Sequence, residues 1–288
     1  MLWILILLLH SGAASIIRRT HDVSRLHMLN MQYRDRMYLM THPINKTYLR
    51  TDQLQDIANE EWSKLTDICP SLRKNISIDI NFDSTLENTG TLAWNTHSMR
   101  LMNGALTSTR DDMTIGVNPH PANGWFYGEN CTDISYRYDL RSVLRHEFLH
   151  GLGFASSIYK DNDLWTAGHS VWGSCYPTQF DTHIVDGGGN KVVHKCNLTE
   201  NIQGKDVFIN GVRLFNPDTY NPSSFSHHYH DGGLMYWKLR PMRCMNIRED
   251  EIKMLSALGV QCLSTESDQQ SVALLLVPLV LSLFLPLL

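Results

Sequence analysis

The chain has 288 residues, 43% of them hydrophobic, with 25 basic residues against 29 acidic ones. That near-balance, without any basic run, argues against a nucleic-acid partner held through its phosphates. The length suffices for one large domain or two tightly packed lobes with a substantial core.

Residues 1–15 (MLWILILLLHSGAAS) open with an apolar run from Leu2 to Leu9, followed by Gly12-Ala13-Ala14-Ser15. A short apolar stretch running into small residues is the pattern of a secretory signal peptide cleaved after Ala14 or Ser15. Residues 16–70 are expected to be an N-terminal helical segment. Within it Leu54, Ile57, Ala58, Trp62 and Leu65 recur at helical spacing, and Pro70 ends the pattern. Asp52 to Asp67 reads as the first helix of the domain that follows, with residues 16–45 a candidate short pro-segment.

Ile76, Ile78, Ile80 and Phe82 then alternate with polar residues, which is the period of a half-buried strand. Shorter strands are expected around Thr91–Trp94 and Met113–Val117, and Asn118-Pro-His-Pro-Ala-Asn-Gly124 must be loop. The clearest helix starts at Asp139, a good N-cap, and carries Leu140, Val143, Leu144, Glu147 and Phe148 near one face up to Gly151 and Gly153. A loop-rich stretch follows to about Ser226, with a tight turn at Asp186-Gly-Gly-Gly-Asn190. A final helix is predicted over Arg248–Leu258, stopped by Gly259. After the polar stretch Ser264–Ser271, an unbroken apolar tail occupies Val272–Leu288. Its 17 residues are followed by no Lys or Arg, so residues 264–288 read as a glycolipid (GPI) attachment signal, with a plain membrane helix as the alternative.

Six cysteines lie between the two ends: Cys69, Cys131, Cys175, Cys196, Cys244 and Cys262. An even count behind a leader points to three disulfides. Nearness in sequence favours Cys175–Cys196 and Cys244–Cys262, leaving Cys69–Cys131. Sequons at Asn45, Asn75, Asn130 and Asn197 fit the same exterior compartment.

The chemistry is concentrated in His146-Glu147-Phe148-Leu149-His150. Four-residue spacing on a helix brings both imidazoles to one face, within reach of one zinc ion, Zn2+. Glu147, beside the first ligand, is placed to act as general base on a metal-polarised water. No cysteine-rich ligand set competes, so an open catalytic site is expected rather than a closed structural one.

The extended string HEFLHGLGF resembles the metzincin zinc metallopeptidases, whose motif is HExxHxxGxxH followed by a methionine turn. Gly153 matches the glycine of that motif, but Ser156 stands where the third histidine belongs. The chain looks like the leishmanolysin-like branch, in which a long insertion separates the glycine from the third ligand. Ser223–Met235 resembles the third-ligand and methionine-turn region of that branch. The resemblance implies His227 as third ligand, with His228 and His230 as alternatives and His183 a weaker one, and Met235 as an apolar floor that does not touch the metal. Phe180-Asp181 and Val185-Asp186-Gly187 also resemble that branch, and coverage runs over roughly residues 76–237.

The fold so implied is α+β: a mixed twisted sheet with the active-site helix, and an irregular, disulfide-bearing lower lobe closed by a C-terminal helix. The metallopeptidase domain would span residues 71–263, its upper lobe reaching about 153 and its lower lobe 154–263. The expected activity is extracellular hydrolysis of protein or peptide substrates at the outer face of the cell membrane. Met113–Val117 is expected to hold the substrate as an added strand, and Tyr229 and Tyr236 are candidates, by the same resemblance, to donate to the oxyanion. The alternative is a non-catalytic surface receptor or adhesion protein on the same scaffold, for which an intact Glu147 beside two ligand histidines has no use. No PRCGxPD-like cysteine switch precedes the helix, and no sequence feature sets an oligomeric state.

Overall fold

The computed structural model describes residues 15–16, 50–72, 76–161, 164–171, 173–199, 201–216, 233–236 and 239–263. It is a mixed α+β protein with several small sheets and three disulfides. The leader up to Ala14, the tail at 264–288, the sequons at Asn45 and Asn75, and the histidine cluster up to His230 lie outside the described residues.

One mixed sheet dominates the first half. Its strands are β1 (Ser15–Ile16), β2 (Ser77–Phe82), β3 (Ala93–Met102) and β4 (Ala105–Val117), in the order β1-β3-β4-β2. β2 runs parallel to β4, from Ser77 opposite Asp112 to Phe82 opposite Val117. Ile80 of β2 is buried while Ser77 and Asp79 are exposed, as the alternation predicts. β3 and β4 form a hairpin far longer than the two short strands expected there, paired from Met102–Ala105 back to Ala93–Val117. Asn103-Gly104 turns it, both residues having positive φ (50° and 79°), as a two-residue turn matched to strand twist requires. That dipeptide was the readable signal. The strand itself was not, because every residue of β3 is half-buried and shows no alternation.

Helix α1 (Thr51–Ile68) lays Leu54, Ile57, Ala58 and Leu65 into the core shared with the sheet and with helix α2 (Leu140–Gly151). Trp62 meets Phe148 of α2 edge-on, with ring centroids 5.2 Å apart. A short parallel pair, β5 (Trp125–Phe126) and β6 (Tyr138–Asp139), delivers the chain to α2. As expected, Asp139 caps this helix, its carboxylate accepting from the Ser142 N–H at 3.0 Å. At the other end Gly151 lies so close to the sheet that a Cβ there would come within 2.8 Å of Met113 Cε and 3.2 Å of Asn95 Nδ2.

The stretch expected to be loop-rich is instead stitched into two- and three-residue strands forming three small sheets. A helical turn, α3 (Gln179–Thr182), interrupts them. The turn at 186–190 is present, with the Asp186 carboxylate accepting from the N–H groups of Gly188 and Asn190 at 2.8 Å each. Helix α4 (Glu249–Ala257) closes the described chain, capped by Arg248 and Leu258, and Gly259 stops it with φ 78°.

Two of the three expected disulfides are corrected. Cys175–Cys196 forms, but the other pairs are Cys69–Cys262 and Cys131–Cys244. The backbone explains why. Leu263 N–H donates to Ile68 C=O at 2.8 Å and Gln261 N–H to Ser71 Oγ at 2.9 Å, so the strap after α4 runs beside the end of α1. Likewise Met242 N–H donates to Arg137 C=O at 3.0 Å, which brings Cys244 to the loop of Cys131. Among the described residues no helix is long and apolar enough to cross a membrane.

Candidate metal centre

His146, Glu147 and His150 all sit on α2, which is anchored in the core by Leu140, Val143, Leu144, Phe148 and Leu149. One helical turn separates the two histidines, and their rings meet edge to face with centroids 4.5 Å apart. Each ring is held from behind. His146 Nδ1 lies 2.8 Å from the carbonyl of Leu234, and His150 Nδ1 lies 2.7 Å from that of Phe154. A carbonyl only accepts, so each Nδ1 carries a proton, and in the neutral ring the lone pair falls on Nε2. Those two Nε2 atoms face one another at 2.9 Å. Two imidazoles with Nδ1 tied to backbone carbonyls are an arrangement that could supply two ligands to a metal ion.

Burial shifts the neighbouring titratable groups in opposite senses. It pushes the His146 imidazole down to about 4, against the opposing effect of the Leu234 carbonyl. It alone pushes the Glu147 carboxyl up to about 8. Glu147 is 6% exposed, so its carboxylate has little water to solvate it.

The segment resembling a methionine turn reaches this site. Leu234 and Met235 are fully buried, and Tyr236 N–H closes a turn onto Gly233 C=O at 3.1 Å. Leu234 is the residue whose carbonyl holds His146, while Tyr236 packs edge-on against Phe215 at 5.8 Å. His227, His228, Tyr229 and His230 lie outside the described residues, which resume at Gly233. Among the described residues no group of three His, Cys, Asp or Glu side chains is placed to hold a metal, so His183 does not join His146 and His150. It caps α3 instead, its N–H donating to Phe180 C=O at 3.1 Å.

Ser156 has a different task from the histidine it stands in for. It is buried and donates to the Asp181 carboxylate, which also accepts from the N–H groups of Ser157 and Thr178. The segment after α2 is thereby fastened to α3. A second expectation is corrected: Met113–Val117 cannot accept a substrate strand. It is paired on both sides, Met113 with Ile78 and His97, Val117 with Phe82 and Ala93.

Two buried carboxylates near the site went unpredicted. Glu61 of α1, 1% exposed, bonds Arg141 and Arg145 of α2 and Lys64 of its own helix. Glu251 of α4, fully buried, accepts from Leu234 N–H at 3.0 Å. Glu61 occupies the apolar stripe of α1, between Ala58 and Leu65, and that interruption was its only signal. Glu251 reads in sequence as one of three acidic residues opening a helix.

No known protein-family model matches the chain, and neither a curated protein nor a solved structure matches it.

Proposed function

We propose that the protein is a zinc-dependent endopeptidase of metzincin type, resembling the leishmanolysin-like branch, that acts outside the cell. The observation that carries the reading is the pair of Nε2 atoms 2.9 Å apart on one helix face, each ring held at Nδ1 by a backbone carbonyl. His146 and His150 are the two ligands from α2, and His227 is the third. The sequence directly after His227–His230 supports that choice, because Leu234 already lies against His146. Zinc bound there supplies a Lewis acid and lowers the pKa of a coordinated water towards neutrality.

The chain's own residues do the rest. Glu147 accepts a proton from the attacking water as its oxygen bonds to the scissile carbonyl carbon, then gives it to the departing amine nitrogen as the C–N bond breaks. A neighbouring cation draws a buried carboxyl back down from about 8, so that Glu147 can serve as the base near neutral pH. The substrate strand belongs on β3 rather than β4. Among the described residues the outer edge of β3 is paired only at Arg100 and Leu101, and β3 approaches α2 where Asn95 meets Gly151. An extended peptide added there lies along the helix that carries the histidines.

The leader, the apolar tail and the exposed sequon residues Asn130 and Asn197 support a glycosylated protein held at the outer membrane surface. The three disulfides fit an oxidising compartment. Zinc content of the purified protein tests the ligand set. One ion per chain is expected, abolished in His146→Ala and in His227→Ala but kept in His228→Ala. Full zinc in His227→Ala would overturn the third ligand.

A further inference from the structure

Glu251 has no exposed surface, and both of its oxygens accept from backbone: Oε2 from Arg248 N–H at 2.9 Å, and Oε1 from Leu234 N–H at 3.0 Å. The first bond is ordinary capping of α4. The second is not needed by that helix. Capping asks for neither charge nor complete burial, since a glutamine serves equally well at that position. A carboxylate taken wholly out of water is costly unless its oxygens are well used. Here the second oxygen reaches across to the turn Gly233–Tyr236 and fixes the one residue whose carbonyl accepts from His146 Nδ1.

We infer that Glu251 is a positioning residue for the metal centre: by gripping Leu234 at its N–H, it aims the Leu234 carbonyl at His146 and holds that imidazole in the Nδ1–H form with Nε2 turned towards His150. The inference rests on the histidine pair being the zinc site proposed above. It runs from α4 through the buried turn to the first ligand, two elements that lie far from α2 in sequence. Groups that orient a ligand histidine in this way are worth one to two powers of ten in metal affinity. His150 is independent of the relay, because its Nδ1 bonds Phe154 C=O on the other side of the site.

The test uses the full chain, metal-free, as wild type, Glu251→Gln and Glu251→Ala. Circular dichroism and disulfide mapping establish that each variant is folded. Long-range 1H–15N spectra then report the ring tautomers of His146 and His150, and competition against a chromophoric chelator gives the affinity for Zn2+ alone. In Glu251→Ala, His146 is expected to lose its pure Nδ1–H signature while His150 keeps it, and zinc affinity to fall about tenfold or more. Glutamine has one accepting oxygen for two N–H donors, so Glu251→Gln is expected to fall between alanine and wild type. If the alanine variant does not fold, the same comparison on the glutamine variant decides. Folded variants with His146 still wholly Nδ1–H and with unchanged zinc affinity would overturn the role of Glu251. Absence of zinc binding by the wild type would instead sink the metal reading, and the tautomer comparison would still decide what Glu251 does.

Discussion

Burial disfavours charge on both titratable neighbours of α2, and because one is basic and the other acidic, their effects on stability run in opposite directions with pH. The unfolded His146 imidazole titrates near 6.5 and the folded one near 4. The unfolded state therefore binds more protons in that window, and stability is lost as pH falls through it. Glu147 ionises near 4.5 unfolded and near 8 folded, so the native state is progressively penalised as pH rises across that range. Metal-free Glu147→Gln should accordingly be more stable than metal-free wild type at pH 8, by a few kcal/mol as an order of magnitude. The gap should close towards pH 4.5, as denaturant melts at the two pH values will show; a gap independent of pH would contradict the burial argument. At this scale the candidate residues were legible, because HExxH packs His146, Glu147 and His150 into five consecutive positions, and all three lie on one helix. The sequence did not display what holds them. The carbonyls of Leu234 and Phe154, and the carboxylate of Glu251, act through backbone atoms or from distant turns, and residue type carries no trace of that.

Between elements, a buried carboxylate joins α1 to α2. Burial pushes the Glu61 carboxyl upward, but hydrogen bonds from Arg145, Lys64 and Arg141 outweigh it and hold the group down to about 2. Its contribution is present above pH 4.5 and is lost as pH falls towards 2. Arg141 is itself buried and Arg145 nearly so, with side chains 7% and 13% exposed. Glu61→Ala leaves Arg141 with Glu60 as its one carboxylate partner and Arg145 with none among the described residues, and a loss of about 3–5 kcal/mol is expected in urea unfolding at pH 7. A loss below about 1 kcal/mol would mean that water and the existing Arg141–Glu60 pair suffice. Helices were the legible elements, since α1, α2 and α4 each combine an apolar stripe with a stop signal. The β3–β4 hairpin was read only in fragments, because strands half-buried on both faces do not alternate. That partial view led to the substrate strand being placed on β4, whose two edges are both occupied.

For the molecule as a whole, the α+β class followed from the order of strands and helices, whereas the cross-links did not follow from anything local. Cys69 and Cys262 are 193 positions apart and Cys131 and Cys244 are 113 apart, so their meeting depends on how α1, α4 and the intervening lobe pack. Peptide mapping without reduction should recover 69–262, 131–244 and 175–196, and no 244–262 peptide. Replacing Cys69 and Cys262 together by serine should cost about 2–5 kcal/mol, as expected for a bridge closing so long a loop. On cells expressing the full chain, phosphatidylinositol-specific phospholipase C should release the protein if residues 264–288 direct GPI attachment; retention would favour the membrane-helix alternative.

The central claim is that His146 and His150 hold zinc and that Glu147 is the base that turns the bound water on a peptide bond. It is tested most directly by incubating zinc-loaded wild type and zinc-loaded Glu147→Gln with a mixed peptide library, with and without a chelator, and reading new amino termini by mass spectrometry. Wild type should cleave internal peptide bonds and stop when chelated, and Glu147→Gln should keep its zinc while losing at least about two powers of ten in rate. Cleavage that survives in zinc-bound Glu147→Gln, or a zinc-loaded wild type that cleaves nothing in the library, would contradict it.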